Sequence, residues 1–347
     1  MRIAQVMLGR RFGGAERSFV DLSEALCARG HEVLAIVDPR GEALPILKAS
    51  SLADNVVEQR CFGSWDRLAE HQIGRVLKAF NPSVVQAHLA RTALLAGRAA
   101  MRLNLPAVAK THNLVNLKYY QDITRLVPTT RAQETYLAER GVSRSAIRRI
   151  PNFSALGAVD TISLPTAQPY RLVSYGRMVH KKGFDVLLHA LARVRARGLS
   201  LQLDLGGDGP EREVLAELIE HLRLSDCVRL CGWVHDVEAF LSGARAFILP
   251  SRDEPFGIAM LEAMARGVPV LATTTQGPRE VLADACGLLV DSDDVDGLAA
   301  GIEAICDTAR AEEVATNALQ RYREKYSADA VVDQYEELYT ELVSSSS

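Results

Sequence analysis

The sequence predicts an α/β protein with two doubly wound, Rossmann-like domains, and three observations support this class. The chain has 347 residues, which is more than one ordinary hydrophobic core requires. Apolar runs of strand length alternate with helical patterns along most of the chain, as in parallel α/β sheets. Small residues and prolines interrupt this alternation once. We therefore expect a domain over residues 1–153, a linker over 154–169, a second domain over 170–325, and a final helix over 326–343 that packs back on the first domain.

The first domain is predicted to begin with a strand over residues 3–8, a glycine-containing loop and a helix. The loop lacks the GxGxxG pattern of nicotinamide-binding enzymes, which makes a dehydrogenase a remote alternative. Its adjacent glycines, Gly13 and Gly14, still allow a ligand to approach the backbone at the helix N-terminus. Two later strands run out to His88 and His112. A histidine at a strand end is more often structural than functional, and we interpret His112 in that way.

Composition excludes several classes of protein. The chain is 48% apolar and 24% charged, and it contains no apolar stretch long enough to span a membrane and no signal peptide. Its six cysteines are scattered, so neither a disulfide framework nor a metal site is expected. The sequence therefore predicts a cytoplasmic protein.

Charge is unevenly distributed along the chain. Residues 1–160 carry 22 Lys and Arg against 14 Asp and Glu, whereas residues 161–347 carry 18 against 29. A basic first half indicates contact with an anionic surface or substrate. We expect no nucleic acid among the partners, and the basic half allows peripheral contact with the anionic inner membrane.

Residues 249–272 combine a buried strand, a helix and two carboxylates. The helix is predicted to begin near Pro255 or Phe256, so that Glu254 lies just before it and Glu262 about two turns inside it. A helix N-terminus attracts anions, because its first N–H groups lack partners and the helix dipole is positive there. This segment is therefore the first candidate for a ligand site.

Three further motifs lie where predicted strands end or helices begin. They are Gly176–Gly183 (GRMVHKKG), Gly206–Pro210 (GGDGP) and Gln276–Glu280 (QGPRE). Open α/β sheets bind ligands at the carboxyl ends of their strands, where these segments are expected. Arg177 offers a planar guanidinium and Lys182 a compact charge, a combination that suits a diphosphate.

Together these motifs resemble those of the GT-B glycosyltransferases of retaining family 4. GRMVHKKG is similar to the family's GR-x4-KG loop, GGDGP to its GDGP turn, EPFGIAMLE to its E-x7-E motif and QGPRE to its GGxxE segment. The resemblance covers nearly the whole chain and is closer in the second half. It implies a GT-B fold, in which two Rossmann-like domains face each other across a cleft. It also implies a retaining, metal-independent hexosyltransferase without a cofactor, whose nucleotide-sugar is a substrate.

The resemblance also implies roles for individual residues. Arg177 and Lys182 would hold the diphosphate of the donor, Glu254 would contact the hydroxyls of the donor sugar, and Glu262 would bind the ribose. His88 matches the family's histidine that meets the donor sugar near the reacting carbon. The remaining implied donor contacts are Gly13, Gly14, Gly176, Val234, Phe256, Gly257 and Ile258.

The leading functional hypothesis is transfer of a sugar from a UDP- or GDP-linked donor to a saccharide or lipid-linked acceptor. Lipopolysaccharide or another cell-surface glycan is the expected product. Two alternatives stay open: a GT-B nucleotide-sugar epimerase and a non-catalytic nucleotide-sugar binding protein. Candidate acceptor contacts in the basic half are Arg10, Arg11, Arg91, Lys118 and Tyr119.

Overall fold

The chain forms two compact units in the computed structural model, which describes residues 1–346. Residues 1–153 and the final helix make up the first unit, and residues 154–327 make up the second. Each unit contains a six-stranded sheet in which all neighbouring strands run parallel. The predicted α/β class with two Rossmann-like units is confirmed.

The sheet of the first unit has the order β3-β2-β1-β4-β5-β6. Chain progression across the sheet reverses between β1 and β4, so the crevice where such sheets bind ligands lies at the carboxyl ends of these two strands. The strands are β1 (Arg2–Met7), β2 (Glu32–Val37), β3 (Val56–Glu58), β4 (Val84–His88), β5 (Ala107–Thr111) and β6 (Arg125–Pro128). The helices that alternate with them are α1 (Gly14–Ala28), α2 (Ala43–Lys48), α3 (Arg67–Phe80), α4 (Ala90–Arg102) and α5 (Arg131–Glu139).

The second unit repeats this plan with the order β12-β11-β10-β7-β8-β9, and its reversal falls between β7 and β10. Its strands are β7 (Tyr170–Tyr175), β8 (Leu201–Gly206), β9 (Val228–Gly232), β10 (Ala246–Leu249), β11 (Val270–Thr273) and β12 (Leu288–Val290). Its helices are α6 (Phe184–Ala196), α7 (Arg212–His221), α8 (Val237–Leu241), α9 (Ile258–Ala265), α10 (Gln276–Val281), α11 (Val295–Cys306) and α12 (Thr308–Arg321).

The final helix, α13 (Ala328–Ser346), belongs to the first unit, where it packs on α1 and β4. Residues 154–169, where we expected a linker, belong to the second unit. The Tyr322 hydroxyl contacts the carbonyl oxygens of Ser154 and Leu156 at 3.0 and 2.6 Å, which holds the start of this segment in place. Within residues 1–346, no helix is long and apolar enough to cross a membrane.

Packing and caps explain why these segments adopt their structure. The strands are apolar on both faces because helices cover both sides of each sheet. In the first unit, one face packs Ile3 and Val84 against Phe19 of α1, and the other packs Ala4 and Val85 against α3 and α4. Aspartates also cap several helices, because their side chains accept a hydrogen bond from a backbone N–H of the first turn. The capping residues are Asp66, Asp236, Asp294 and Asp307.

Candidate active site

The loops that follow β7 and β8 approach each other at backbone distance. A Cβ on Gly207 would lie 1.9 Å from the carbonyl oxygen of Gly176, and a Cβ on Gly209 would lie 2.4 Å from that of Met178. Both Gly207 and Gly209 have a positive φ, which a side chain would strain. The GGDGP motif therefore forms a turn with few side-chain atoms. The loop that begins at Gly176 packs directly on this turn at the carboxyl edge of the sheet.

The loop after β7 also packs directly on the loop after β10. A Cβ on Gly183 would lie 2.0 Å from the carbonyl oxygen of Pro250. Arg252 joins the two loops, because its backbone N–H donates to the Lys181 carbonyl at 2.8 Å and its guanidinium binds both Asp185 oxygens at 2.7 Å. Burial raises the pKa of Asp185, but the guanidinium more than offsets this and holds that pKa below its ordinary value.

Lys182 and Glu254, which come from two separate motifs, lie in direct contact. Lys182 Nζ is 2.5 Å from Glu254 Oε2, and the side chains are only 19% and 10% exposed. The Gly277 N–H of the QGPRE segment donates to the Glu254 carbonyl at 3.0 Å. Three of the predicted motifs thus meet at one residue, Glu254, at the carboxyl edge of the second sheet.

The second carboxylate of the E-x7-E motif is held by a residue that the motifs did not include. The hydroxyl of Tyr175, the last residue of β7, donates to Glu262 Oε2 at 2.5 Å. Glu262 is buried on α9, which begins at Ile258 and not at the predicted Pro255 or Phe256. The helix starts later because Gly257 adopts a left-handed conformation with a φ of 90°.

The remaining predicted donor contacts divide between the two units. Arg177 is exposed beside the Gly176 loop, and Val234 follows β9, where its side chain lies against Gly206. Gly13 caps α1 of the first unit and Gly14 is the first residue of that helix. In the described part of the chain, no three His, Cys, Asp or Glu side chains are grouped as a metal ion would require.

His88 is placed differently from the role predicted for it. Its side chain is 0% exposed, its Nε2 lies 3.0 Å from Gln5 Oε1, and its Nδ1 lies 3.3 Å from His112 Nε2. Burial, and then the nearby His112 and Lys110, lower the pKa of His88 well below its ordinary value. A buried ring with both nitrogens engaged does not offer an atom to a ligand, so this geometry does not favour direct contact between His88 and a sugar.

His112 is the more accessible of the two histidines, in contrast to the structural role that we expected for it. It follows β5 at the carboxyl edge of the sheet and keeps part of its surface exposed. Burial of its ring and the positive charge of Lys110 lower the pKa of His112 to about 3. The imidazole is therefore neutral at pH 7 and can accept as well as donate a hydrogen bond.

A cavity of about 330 Å³ lies in the first unit, where β1 and β4 end. Arg91 and Tyr119, two of the predicted acceptor contacts, line it, and Lys118 Nζ lies 4.9 Å from the centre of the Tyr119 ring. The cavity therefore occupies the reversal point of the sheet, where α/β folds place ligands. Its lining residues are Leu8, Gly9, Gly63, Ser64, Leu89, Ala90, Arg91, Thr92 and Tyr119.

The other three predicted acceptor contacts, Lys118, Arg10 and Arg11, are not among the residues that line this cavity. Arg10 donates to the Cys61 carbonyl at 2.8 Å and lies 3.4 Å from the buried carboxylate of Asp38, whereas Arg11 is exposed. Arg40 binds the same carboxylate and, despite the opposing effect of burial, lowers the pKa of Asp38 to about 2. The carboxylate of Asp38 therefore binds two arginines, Arg10 and Arg40.

Sequence reasoning missed Tyr175, Arg252 and Gln5. Tyr175 directly precedes the GRMVHKKG loop and Arg252 precedes Glu254 by two residues, so their proximity to the motifs was a usable signal. Gln5 gave no such signal in the sequence, because a single polar residue inside an apolar strand does not show which residue it contacts.

Two parallel sheets of this order, with paired carboxylates and a basic loop at one carboxyl edge, define a GT-B type glycosyltransferase. The family model described as "Glycosyl transferases group 1" matches residues 162–321, and the one described as "Glycosyltransferase Family 4" matches residues 12–154. The chain belongs to this family of glycosyltransferases.

Among individual proteins, the chain is similar to the lipopolysaccharide core biosynthesis glycosyltransferases LpsD and LpsE of Rhizobium meliloti. Each is 32% identical; the alignment with LpsD covers 98% of both chains, and that with LpsE covers 97% of this chain and 98% of LpsE. Two solved structures share the fold. Anabaena HepE in complex with UDP has a TM-score of 0.84 and 19% sequence identity, and the match covers 98% of this chain and all of HepE. The apo form of the lipopolysaccharide outer core galactosyltransferase WaaB has a TM-score of 0.77 and 17% sequence identity, and the match covers 98% of this chain and all of WaaB.

Proposed function

We propose that this glycosyltransferase moves a hexose, with retention of anomeric configuration, from a UDP- or GDP-linked donor to a saccharide or lipid-linked acceptor in cell-surface glycan synthesis. The observation that carries the proposal is the contact between Lys182 and Glu254 beside the Tyr175–Glu262 pair. The similarity to LpsD and LpsE, which are lipopolysaccharide core biosynthesis glycosyltransferases, supports a lipopolysaccharide product. The structures of HepE with UDP and with UDP-glucose support a uridine donor as the first to test.

The charge distribution of the site suits departure of a nucleoside diphosphate. Glycosyl transfer develops positive charge on the sugar and negative charge on the leaving group. In this proposal, Lys182 and the exposed Arg177 stabilise the departing diphosphate without a metal ion. Glu254 binds the sugar hydroxyls and Glu262 the ribose.

The contact with the donor sugar that was predicted for His88 is assigned here to His112. His112 is partly exposed at the end of β5, whereas His88 is fully buried behind it. A neutral imidazole can accept a hydrogen bond from a sugar hydroxyl without adding charge to the site. His112→Gln should therefore lower kcat more than His88→Gln does, and equal losses would contradict the assignment.

The cavity of the first unit is the proposed acceptor site. Arg91 provides a cation at its wall and Tyr119 an aromatic face, which suits a saccharide bearing phosphate or carboxylate groups. Arg91→Ala is expected to raise KM for an anionic acceptor and to leave donor binding unchanged. An equal effect on a neutral acceptor would argue against a charge contact.

One exposed surface supports peripheral contact with an anionic membrane. Phe62 and Trp65, in the loop before α3, and Leu68, in the first turn of α3, are 64%, 75% and 76% exposed. Arg60 and Arg67, also exposed, flank them. Aromatic and leucine side chains insert at the lipid interface, and arginines bind anionic headgroups.

Vesicle sedimentation tests this contact directly. The protein should pellet with phosphatidylglycerol vesicles at low salt and not with phosphatidylcholine vesicles. Replacing Trp65 and Leu68 by serine should abolish binding, whereas Met101→Ser, at a 53% exposed position elsewhere in the unit, should not. Binding that ignores lipid charge and salt would refute the proposal.

The overall activity is tested with a panel of nucleotide sugars. Stabilisation by a donor, followed by transfer to a lipopolysaccharide core acceptor with the anomeric configuration read by NMR, is the expected result. An isomerised donor without acceptor would identify an epimerase instead. Binding without any turnover would identify a non-catalytic binding protein.

A further inference from the structure

One face of the first sheet carries four buried polar side chains where parallel strands are normally apolar. Gln5, Gln86, His88 and Lys110 are all 0% exposed. Gln5 pairs with Gln86 in register, and His88 pairs with Lys110, so the four lie on the same face of β1, β4 and β5. Burying such groups costs free energy unless each is hydrogen-bonded, so their contacts need an explanation.

These contacts form a chain from the first strand to the accessible histidine. Gln5 Oε1 lies 3.0 Å from His88 Nε2, and His88 Nδ1 lies 3.3 Å from His112 Nε2. Gln86, which pairs with Gln5 in register, is engaged separately, because its Oε1 accepts from the Tyr339 hydroxyl on α13. The chain thus joins β1 to the carboxyl end of β5.

The chemistry of each group fixes the position of the protons. An amide oxygen can only accept, so His88 Nε2 carries a proton. His88 is neutral at pH 7, since burial lowers its pKa, and its Nδ1 is therefore a bare acceptor. The contact with His112 is favourable only if His112 Nε2 carries a proton. His112 Nδ1 then remains as a hydrogen-bond acceptor.

We infer that Gln5 is a positioning residue that holds His112 in the Nε2–H tautomer through His88. The inference rests on the proposed function, which assigns the sugar contact to His112. Its physical basis is that the hydrogen bond made by one imidazole nitrogen decides which of the two nitrogens carries the proton.

Ring ¹⁵N NMR at pH 7 reads the tautomers without reference to activity. His88→Gln and His112→Gln assign the two signals among the eight histidines. The unmodified protein should show Nε2–H for both. Gln5→Met removes the acceptor, so His88 should move its proton to Nδ1 and donate to His112, which then becomes Nδ1–H.

Kinetics on the same variants test the consequence for catalysis. Gln5→Met should lower kcat by about 10- to 100-fold, as loss of an outer partner of a functional histidine does, with little change in donor KM. Gln86→Met is the matched control, because Gln86 is equally buried and pairs with Gln5 in register, but its Oε1 accepts from Tyr339 on α13 instead. This variant should change neither readout.

The two readouts separate the ways in which the inference can fail. Unchanged tautomers in Gln5→Met would overturn it, whatever happens to the rate. Changed tautomers with an unchanged rate would refute the catalytic use of the chain and the sugar contact of His112, while glycosyl transfer itself would stand. Equal effects of Gln86→Met and Gln5→Met would show that the buried amides act by packing alone and would also overturn the inference.

Discussion

Replacing Lys182 by alanine tests the charge that the proposal places on the leaving group. The ammonium lies 2.5 Å from Glu254 on a side chain that is 19% exposed, so water screens it only in part. A unit charge about 4 Å from a phosphate oxygen, at an effective dielectric constant of about 20, interacts by about 4 kcal/mol. Part of this interaction is already present in the bound donor, before the bond between the sugar and the diphosphate breaks. We therefore expect a loss of about 2–4 kcal/mol in the transition state, or roughly 30- to 1,000-fold in kcat/KM.

The assay is the initial rate of nucleotide release over a series of donor concentrations. Lys181→Ala is the matched control, because Lys181 is 54% exposed and lies 3.9 Å from Asp253, and its rate should stay within about twofold. A kcat/KM for Lys182→Ala within about threefold of the unmodified enzyme would refute the reasoning.

A double variant separates loss of the cation from its effect on Glu254. Lys182→Ala leaves a largely buried carboxylate without its partner, which by itself disturbs the site. If Lys182→Ala combined with Glu254→Gln regains the original rate, the unpaired carboxylate caused the loss. We expect the double variant to remain impaired.

Three further predictions concern binding and stability. Tyr175→Phe should weaken donor binding by about 1–3 kcal/mol, or roughly 5- to 150-fold in Kd by calorimetry, because buried Glu262 loses the hydrogen bond from the Tyr175 hydroxyl. An unchanged Kd would contradict the ribose site. Gly183→Ala should lower the free energy of unfolding, measured in urea, by more than about 2 kcal/mol, because the new Cβ would lie 2.0 Å from a carbonyl oxygen. Gly198→Ala is the control: Gly198 also has a positive φ but faces open space, so this change should lower the free energy of unfolding by only about 1 kcal/mol. Burial lowers the pKa of Lys110 from 10.5 to about 7. Between pH 7 and pH 10.5 the unfolded chain therefore binds more protons than the folded chain, and the free energy of unfolding rises with pH. Lys110→Met should flatten that rise, and an unchanged slope would refute the burial of a neutral amine.

Local sequence was sufficient for the fold and for much of the second unit. Strand and helix periodicity depends on a few consecutive residues. Glycine at Gly183, Gly207 and Gly257 marks turns with a positive φ, and the sequence shows that residue type directly. Motifs that follow parallel strands converge at one sheet edge whatever the rest of the chain does. The sequence could therefore indicate that Lys182 and Glu254 belong to one site before their 2.5 Å contact was known.

The roles of the two histidines depended on the tertiary structure. Both end a buried strand, so periodicity gives them the same environment. Strand order decides that His88 is enclosed between Gln5 and His112 and that His112 keeps an exposed edge. The sequence by itself determined the two-unit α/β architecture and the composition of the donor loops. Only the folded chain decided which imidazole is accessible, because that depends on contacts between residues as far apart as Gln5 and His88, which no local pattern encodes.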